Sequence, residues 1–380
     1  MKTSIDISHR ALNLLGFIAI IVILYFLKAY IVPIIIAVIL SVLIFPLQLF
    51  IERRMKCSRL FATIVTMSFL LVTVGILLFL ITYQLQTFVS NGENYTNRIT
   101  EVYGNLANTI ESAFGISKQE LIPNNKFPIE GLVKGNFEKI GVFLSESGSV
   151  LSDMILIPIY CFFFLYYRAF FRAFTYKVFN KRSKSFINGL IKKVYIIQQN
   201  YLNGLLKVII IVGTLNTIGL LALGIENAVF FGFFAAILIL IPYIGVLIGA
   251  LLPAILALAT KDSAWYAFGV IAIFGFIQFI EGNFITPKIT GSKVSINAFI
   301  ALSSLILFAM LWGIAGMVLA LPITATLKVI FDHTPGYEAY GFLIGEPVDK
   351  QLESTRRFRL KKWKKIRKNK KAVSQVLKRN

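Results

Sequence analysis

Glu281 is an isolated acid in the apolar half of the chain, and its type and position could support chemistry at membrane depth. Residues 151–332 contain only five acids, and Glu281 directly follows the largely apolar run Phe268–Ile280. A charge at the membrane centre costs at least ~2.5–3.5 kcal/mol, so a residue of this kind usually faces a cavity or a partner. A titrating carboxylate there could exchange protons for cations, with Lys288 as its ion-pair partner. The alternative is that Glu281 only ends a span at the headgroup level.

Polar side chains around Glu281 suggest a second chemistry. Several amides and hydroxyls fall in or beside apolar runs: Asn216, Gln278, Asn283, Thr286 and Asn297. They could hydrogen-bond a small polyhydroxylated ligand, or they could only join helices, which contributes about 0.6 kcal/mol on average in membranes. The full set of candidate substrate- or ion-binding residues is Pro242, Gly245, Glu281, Asn283, Pro287, Lys288, Gly313 and Gly316.

No pattern typical of an enzyme, metal site or bound cofactor is present. His9 and His333 are the only histidines, and neither lies at catalytic spacing from a cysteine, serine or acid. A phosphate-binding Walker loop is also missing, which argues against direct use of ATP. We therefore expect neither catalysis nor a cofactor.

The candidate residues lie within or beside long uncharged runs, which determine the expected fold. The chain of 380 residues is 57% hydrophobic and only 15% charged, whereas soluble domains carry about 25% charged residues. Runs of about 18 or more apolar residues predict membrane-spanning helices. The expected fold is an all-α polytopic membrane protein with about eight membrane helical segments. Ordinary spans are predicted at about residues 11–32 and 33–51 (with Pro33 in the first turn), 60–83, 151–167, 204–223 and 264–282.

Two further apolar stretches, 230–260 and 299–331, are too long for single spans. Each exceeds 30 residues, and each is interrupted near its middle by glycine and proline, at Pro242–Gly245 and Gly313–Gly316. They are either tilted spans, giving eight crossings, or re-entrant hairpins, giving six. Paired interruptions of this kind are the best sequence indication of a transport site. We therefore predict that substrate binds between the two breaks, with Glu281 and Lys288 alongside.

Charge outside the spans predicts the orientation. Basic residues cluster before the first span, after the second, after the fourth and in the tail, which places both termini in the cytoplasm. Segment 84–150 has seven Glu against five Lys and Arg; it is predicted to be extracytoplasmic and to contain amphipathic helices at 95–110 and about 132–144. The predicted domains are 1–83 (three spans), 84–150, 151–332 (the transport region) and 333–380 (a cytoplasmic linker and tail).

The tail is the most basic part of the chain. Arg356–Asn380 carries thirteen basic residues and no acid, with aromatic and aliphatic residues between them. We expect it to bind anionic membrane lipid, at about 1 kcal/mol per basic residue near the surface. Nucleic acid is the other electrostatic option, but it is not predicted because the spans hold the tail at the membrane. The expected contacts are Arg356, Arg357, Lys361, Lys362, Trp363, Lys364 and Lys365.

Three motifs resemble those of the autoinducer-2 exporter family of bacterial inner-membrane proteins. They are Ile241–Val246 (IPYIGV), Gln278–Gly291 (QFIEGNFITPKITG) and Trp312–Pro322 (WGIAGMVLALP). The resemblance implies a homo-oligomeric secondary transporter in the inner membrane, exporting autoinducer-2 or a similar small polar metabolite and so linked to quorum sensing. It also leaves open cation/proton antiport. A membrane scaffold that does not transport is a third possibility.

Overall fold

A computed structural model describes residues 9–114, 155–179, 182–242, 244–289 and 296–346. Over these ranges the chain is helical, and the only β contact is an isolated bridge between Ile296 and Gly345. This confirms the predicted all-α fold. The predicted amphipathic stretch at 132–144 and the basic tail lie outside the described residues.

The helices follow in chain order. They are α1 (His9–Phe26), α2 (Lys28–Met55), α3 (Arg59–Ser90), α4 (Gly92–Phe114), α5 (Ile155–Tyr166), α6 (Arg168–Val178), α7 (Lys184–Ala222), α8 (Ala228–Leu238), α9 (Ile244–Thr260), α10 (Trp265–Ile280), a π-helical turn (Glu281–Ile285), α11 (Thr286–Ile289), α12 (Ala298–His333) and α13 (Glu338–Ile344). Five of the described helical segments are long and apolar enough to cross a membrane, or six if the bent pair α5–α6 forms one span.

Two predicted boundaries are wrong. The first two helices separate at Leu27, not at Pro33, which is the sixth residue of α2. A proline at that position leaves the carbonyl of Ala29 without its usual helical donor, yet the helix continues through it. The span predicted at 204–223 is the second half of α7, which begins at Lys184 with Ser183 accepting a bond from the Phe186 N–H.

Helix α7 is the central helix of the described part of the chain after residue 154. Its 39 residues reach about 58 Å at 1.5 Å per residue. It packs against α2, α6, α8, α10, α11 and α12. Contact with α8 is closest at Gly232, where an added Cβ would lie 2.6 Å from the backbone nitrogen of Thr217. Small residues allow such close approach between helices in a membrane.

The first interrupted stretch is a helical hairpin, named hairpin A (α8–α9). A Cβ added at Gly249 would lie 2.9 Å from Cα of Ala235. These positions are fourteen residues apart, which is about 21 Å along a continuous helix. Their contact shows that α9 folds back along α8 after a turn that begins at residues 239–242.

The second interrupted stretch, α12, is also a hairpin, named hairpin B. Gly313 has φ 63° and ψ −138°, outside the helical region. The Asn297 side chain, at the start of α12, donates to Leu343 O at 2.6 Å and Gly345 O at 3.0 Å. Gly345 in turn packs on Lys328, near the other end of α12. A continuous helix of 36 residues would separate its ends by about 54 Å, so the two halves must double back at Gly313.

The hairpins open toward opposite ends of the bundle. The loop after hairpin A lies beside α4, where Arg98 Nη2 is 3.9 Å from Asp262 Oδ1, and α4 packs across α9. Hairpin B opens beside α13, where Lys193 on α7 contacts His333 at 2.6 Å. We call these the α4 end and the α13 end. Of the two sequence alternatives for residues 230–260 and 299–331, the geometry supports hairpins over straight spans.

Candidate functional site

The tip of hairpin A interrupts the helix in the interior of the bundle. At residues 239–241 the backbone N–H groups bond to carbonyls three residues back, as in a 3₁₀ turn. Pro242 then offers no N–H. A Cβ at Gly245 would lie 1.7 Å from Leu238 O, so only glycine fits where α9 leaves the tip. Broken helices of this kind are tolerated at membrane depth where they face protein or a cavity.

A small cavity lies beside this tip. Its volume is about 10 Å³, close to the minimum for a single water molecule. Two of its lining side chains are amides, and the rest are apolar. The lining residues are Val212, Asn216, Ala235, Ile239, Val246, Phe274, Ile277 and Gln278.

Asn216 is the unusual residue in this lining. Its side chain is 3% exposed, and its Oδ1 atom accepts no hydrogen bond from any described residue. Leaving such an acceptor buried and unsatisfied costs about 1–3 kcal/mol. A polar atom retained at that cost beside a cavity points to a donor that is not part of the described chain.

Glu281 lies next to the cavity and is held by two neutral donors. Its side chain is 7% exposed. Gln278 Nε2 donates to its Oε2 at 2.7 Å, and the Thr286 hydroxyl donates to its Oε1. The π-helical turn Glu281–Ile285 brings Thr286 to this carboxylate, and short π segments in α-helices are frequent at functional sites. We call Asn216, Gln278, Glu281 and Thr286 the polar site.

The other candidate residues in the same segment are exposed and do not belong to the polar site. Lys288 is exposed and forms no ion pair with Glu281, so the predicted pairing is wrong. Seven residues would put the two on one face of a regular helix, but the intervening π turn changes that angular spacing. Pro287 and Asn283 are exposed as well, and Asn283 Nδ2 donates to Phe279 O of the preceding turn at 2.9 Å.

The two interruptions do not meet. Among the described residues, α12 contacts α1, α2, α7 and α13 but none of α8–α11. Gly313 and Gly316 lie at the tip of hairpin B, where neighbouring Trp312 donates to Leu24 O of α1 at 3.0 Å. The structure thus brings Pro242 and Gly245 close to Glu281, and leaves Gly313 and Gly316 on another side of α7.

An apolar layer closes the polar site toward the α13 end. Val208 and Val212 of α7 pack with Ala236 and Ile277, and Ile285 and Ile289 pack against them. Toward the α4 end, Phe88 of α3 and Ile99 of α4 belong to the same buried cluster as residues of hairpin A. The described conformation therefore encloses the polar site from both ends.

Comparison with known families agrees with this architecture. The profile of the AI-2E family transporters matches residues 14–336, which include both hairpins and the polar site. The chain belongs to the AI-2E family of transporters. AI-2E members are membrane transport proteins, and the apolar helices of this chain suit a multi-pass membrane protein.

Individual relatives from the comparison align with only part of this chain. YrrI of Bacillus subtilis, described as a candidate transport protein, is 30% identical over 159 residues, covering 42% of this chain and 43% of YrrI. YhhT of Escherichia coli K12, described in the same way, is 27% identical over 133 residues, covering 35% and 38%. The AI-2 transport protein TqsA of Escherichia coli K12 is 29% identical over 136 residues, covering 36% and 39%. The chain thus aligns with less than half the length of each of these relatives.

Proposed function

We propose that this AI-2E family member is a secondary transporter of a small, uncharged, polyhydroxylated solute, with autoinducer-2 as the first compound to test. The observation that carries the proposal is the Asn216 amide oxygen beside the tip of hairpin A, which accepts no hydrogen bond from any residue that the structure describes. That oxygen and the Glu281 carboxylate accept hydrogen bonds, while the Gln278 amide donates and accepts. A solute with several hydroxyl groups could donate to the Asn216 oxygen and form further hydrogen bonds with the Glu281 carboxylate and the Gln278 amide. Autoinducer-2 is suggested by the family resemblance and by the name of TqsA.

Solute entry requires the tip of hairpin A to move. The cavity of about 10 Å³ is far smaller than the roughly 300–1,000 Å³ of typical small-molecule pockets. Pro242 and Gly245 form the turn that would displace. The enclosed arrangement then corresponds to a closed state of an alternating-access cycle.

A second candidate function is cation/proton antiport. It is favoured by one observation: Glu281 is buried, and no basic side chain among the described residues lies within ion-pair distance of it. A carboxylate held only by neutral donors can gain and lose a proton without breaking an ion pair. In this mechanism, cation and proton would compete for Glu281.

Transport into proteoliposomes with Glu281→Gln separates the two functions. If the chain carries a neutral solute, labelled autoinducer-2 flux should fall about 10- to 100-fold, because one charge-assisted hydrogen bond is worth roughly 1.5–3 kcal/mol. In that case pH-driven Na⁺ flux should be absent in the unmodified protein. The matched control is Glu226→Gln, which removes the same charge from an exposed loop and should leave flux unchanged. Antiport is indicated instead if the unmodified protein exchanges Na⁺ for protons and Glu281→Gln stops it.

We also propose that the protein lies in the bacterial inner membrane as a homo-oligomer, with both termini and the α13 end in the cytoplasm. In a variant lacking Cys57 and Cys161, a single cysteine at Asn97 on α4 should react with an impermeant maleimide in whole cells. A cysteine at Ser185, at the start of α7, should react only in inside-out vesicles. Both positions are exposed, so the reversed labelling pattern would contradict the orientation.

A further inference from the structure

Helices α5 and α6 form a rigid elbow. They meet at an angle of 75°, and polar contacts hold the corner to neighbouring helices. Arg168 Nη2 is 2.7 Å from Glu52 Oε2, and the Arg168 guanidinium lies 5.3 Å from the centre of the Phe45 ring. Further along α6, the Tyr176 hydroxyl bonds to Asn188 Oδ1 on α7 at 2.5 Å. These contacts fix α6 at a steep angle to α5, which packs on α2 and α3.

Helix α6 has two chemically different faces. Arg168, Arg172 and Tyr176 recur at four-residue steps along one side, whereas Phe170, Phe174 and Val178 do so along another. No residue of α6 is buried, and Phe170 is 65% exposed. A short amphipathic helix with bulky aromatic residues, roughly perpendicular to a span, is suited to the membrane interface.

The inner angle of the elbow encloses an apolar pocket. Its volume is about 410 Å³, within the range of small-molecule pockets. All six lining residues are aromatic: Tyr160, Phe163, Phe164, Tyr167, Phe170 and Phe171. The pocket lies under the apolar face of α6, which is the depth of lipid acyl chains when α6 rests at the interface.

We propose that this elbow binds an anionic phospholipid, with an acyl chain in the aromatic pocket and the headgroup phosphate over α6, where Arg172 and Lys177 are exposed on different sides of the helix. Charge complementarity supports this occupant, since residues 168–184 carry six basic side chains and no acid. A second copy of the chain docking here by two-fold symmetry would bring the same basic segment against itself, and like charges repel. The site is separate from the polar site and from the basic tail.

Native mass spectrometry of the full-length protein tests this proposal. The detergent-solubilised protein should retain phosphatidylglycerol more strongly than phosphatidylcholine with the same acyl chains. Arg172→Gln with Lys177→Gln should weaken phosphatidylglycerol binding about 25-fold, since each charge near the surface contributes about fivefold. Phe170→Ala with Phe171→Ala should weaken binding of both lipids, because it removes part of the pocket.

The matched control is Arg53→Gln with Arg54→Gln, which removes the same charge from exposed positions at the end of α2. It should change phosphatidylglycerol binding less than twofold. An equal loss in the control would overturn the proposal in favour of diffuse charge attraction. Unchanged lipid binding together with a lower oligomer mass in the Phe170/Phe171 variant would assign the pocket to a second copy. Wild-type helicity by circular dichroism confirms that each variant is folded.

Discussion

Replacing Asn216 with leucine should abolish solute transport while making the protein more stable. Leucine has nearly the same shape as asparagine but no polar atoms, so the unsatisfied Oδ1 and its cost of about 1–3 kcal/mol disappear. The same change removes an acceptor from the polar site and places methyl groups in a cavity of about 10 Å³. We expect flux in proteoliposomes to fall about a hundredfold, and the melting temperature in detergent to rise.

A loss of transport together with a gain in stability would distinguish a substrate-binding residue from a residue that only stabilises the fold. If Asn216 only joined helices, its removal would lower stability and transport together. Asn203→Leu on the same helix provides the control, because Asn203 is exposed and, among the described residues, its side chain bonds to Gln199 on its own helix. It should leave flux unchanged. A stabilised Asn216→Leu variant that transports normally would show that the substrate binds elsewhere.

Adding a single methyl group at Gly245 should block transport and destabilise the protein. The new Cβ would lie 1.7 Å from Leu238 O and 2.4 Å from its carbonyl carbon. Both are backbone atoms at the tip of hairpin A, so no side-chain rotation can relieve the contact. We expect Gly245→Ala to lower the free energy of unfolding by about 3 kcal/mol, at the upper end for overpacking, and to reduce flux to background.

A glycine with open surroundings provides the comparison. A Cβ at Gly75 on α3 meets nothing within 4 Å, so Gly75→Ala should be neutral or slightly stabilising, since alanine favours helix by about 1 kcal/mol. Transport and the melting temperature, measured for both variants in the same lipid, give the result. Normal transport by Gly245→Ala would mean that the tip of hairpin A is not where the solute passes.

The sequence predicts individual features of the site better than its assembly. Burial of Glu281 follows from its place after an apolar run, and the break at Pro242–Gly245 follows from residue type. The sequence does not indicate that hairpin B lies apart from Glu281. This separation is a matter of tertiary packing: α7 packs against both hairpins, and α12 makes no contact with α8–α11 among the described residues. Glu281 and Lys288 do not form the predicted ion pair because a π turn lies between them. No residue pattern predicts such a turn reliably.

Asn216 shows a second limit of prediction from sequence alone. By sequence it is one of several amides in apolar surroundings, all with the same helix-joining alternative. What separates it from Asn297, which caps α12 and bonds to α13, is that its oxygen has no described partner. Whether a side chain is satisfied depends on tertiary neighbours, so this distinction appears only in three dimensions.

An apolar layer lies on the side of the polar site toward the α13 end, formed by Val208, Val212, Ile285 and Ile289. This layer affects how easily ions can leak through the protein. Bare ions cannot cross such a barrier, because a charge in hydrocarbon costs several kcal/mol or more. An idle transporter of this shape is electrically tight and leaves the membrane potential intact. In the proposed alternating-access cycle solute passes one molecule at a time, so flux should saturate with concentration instead of rising steadily like the current through an open pore.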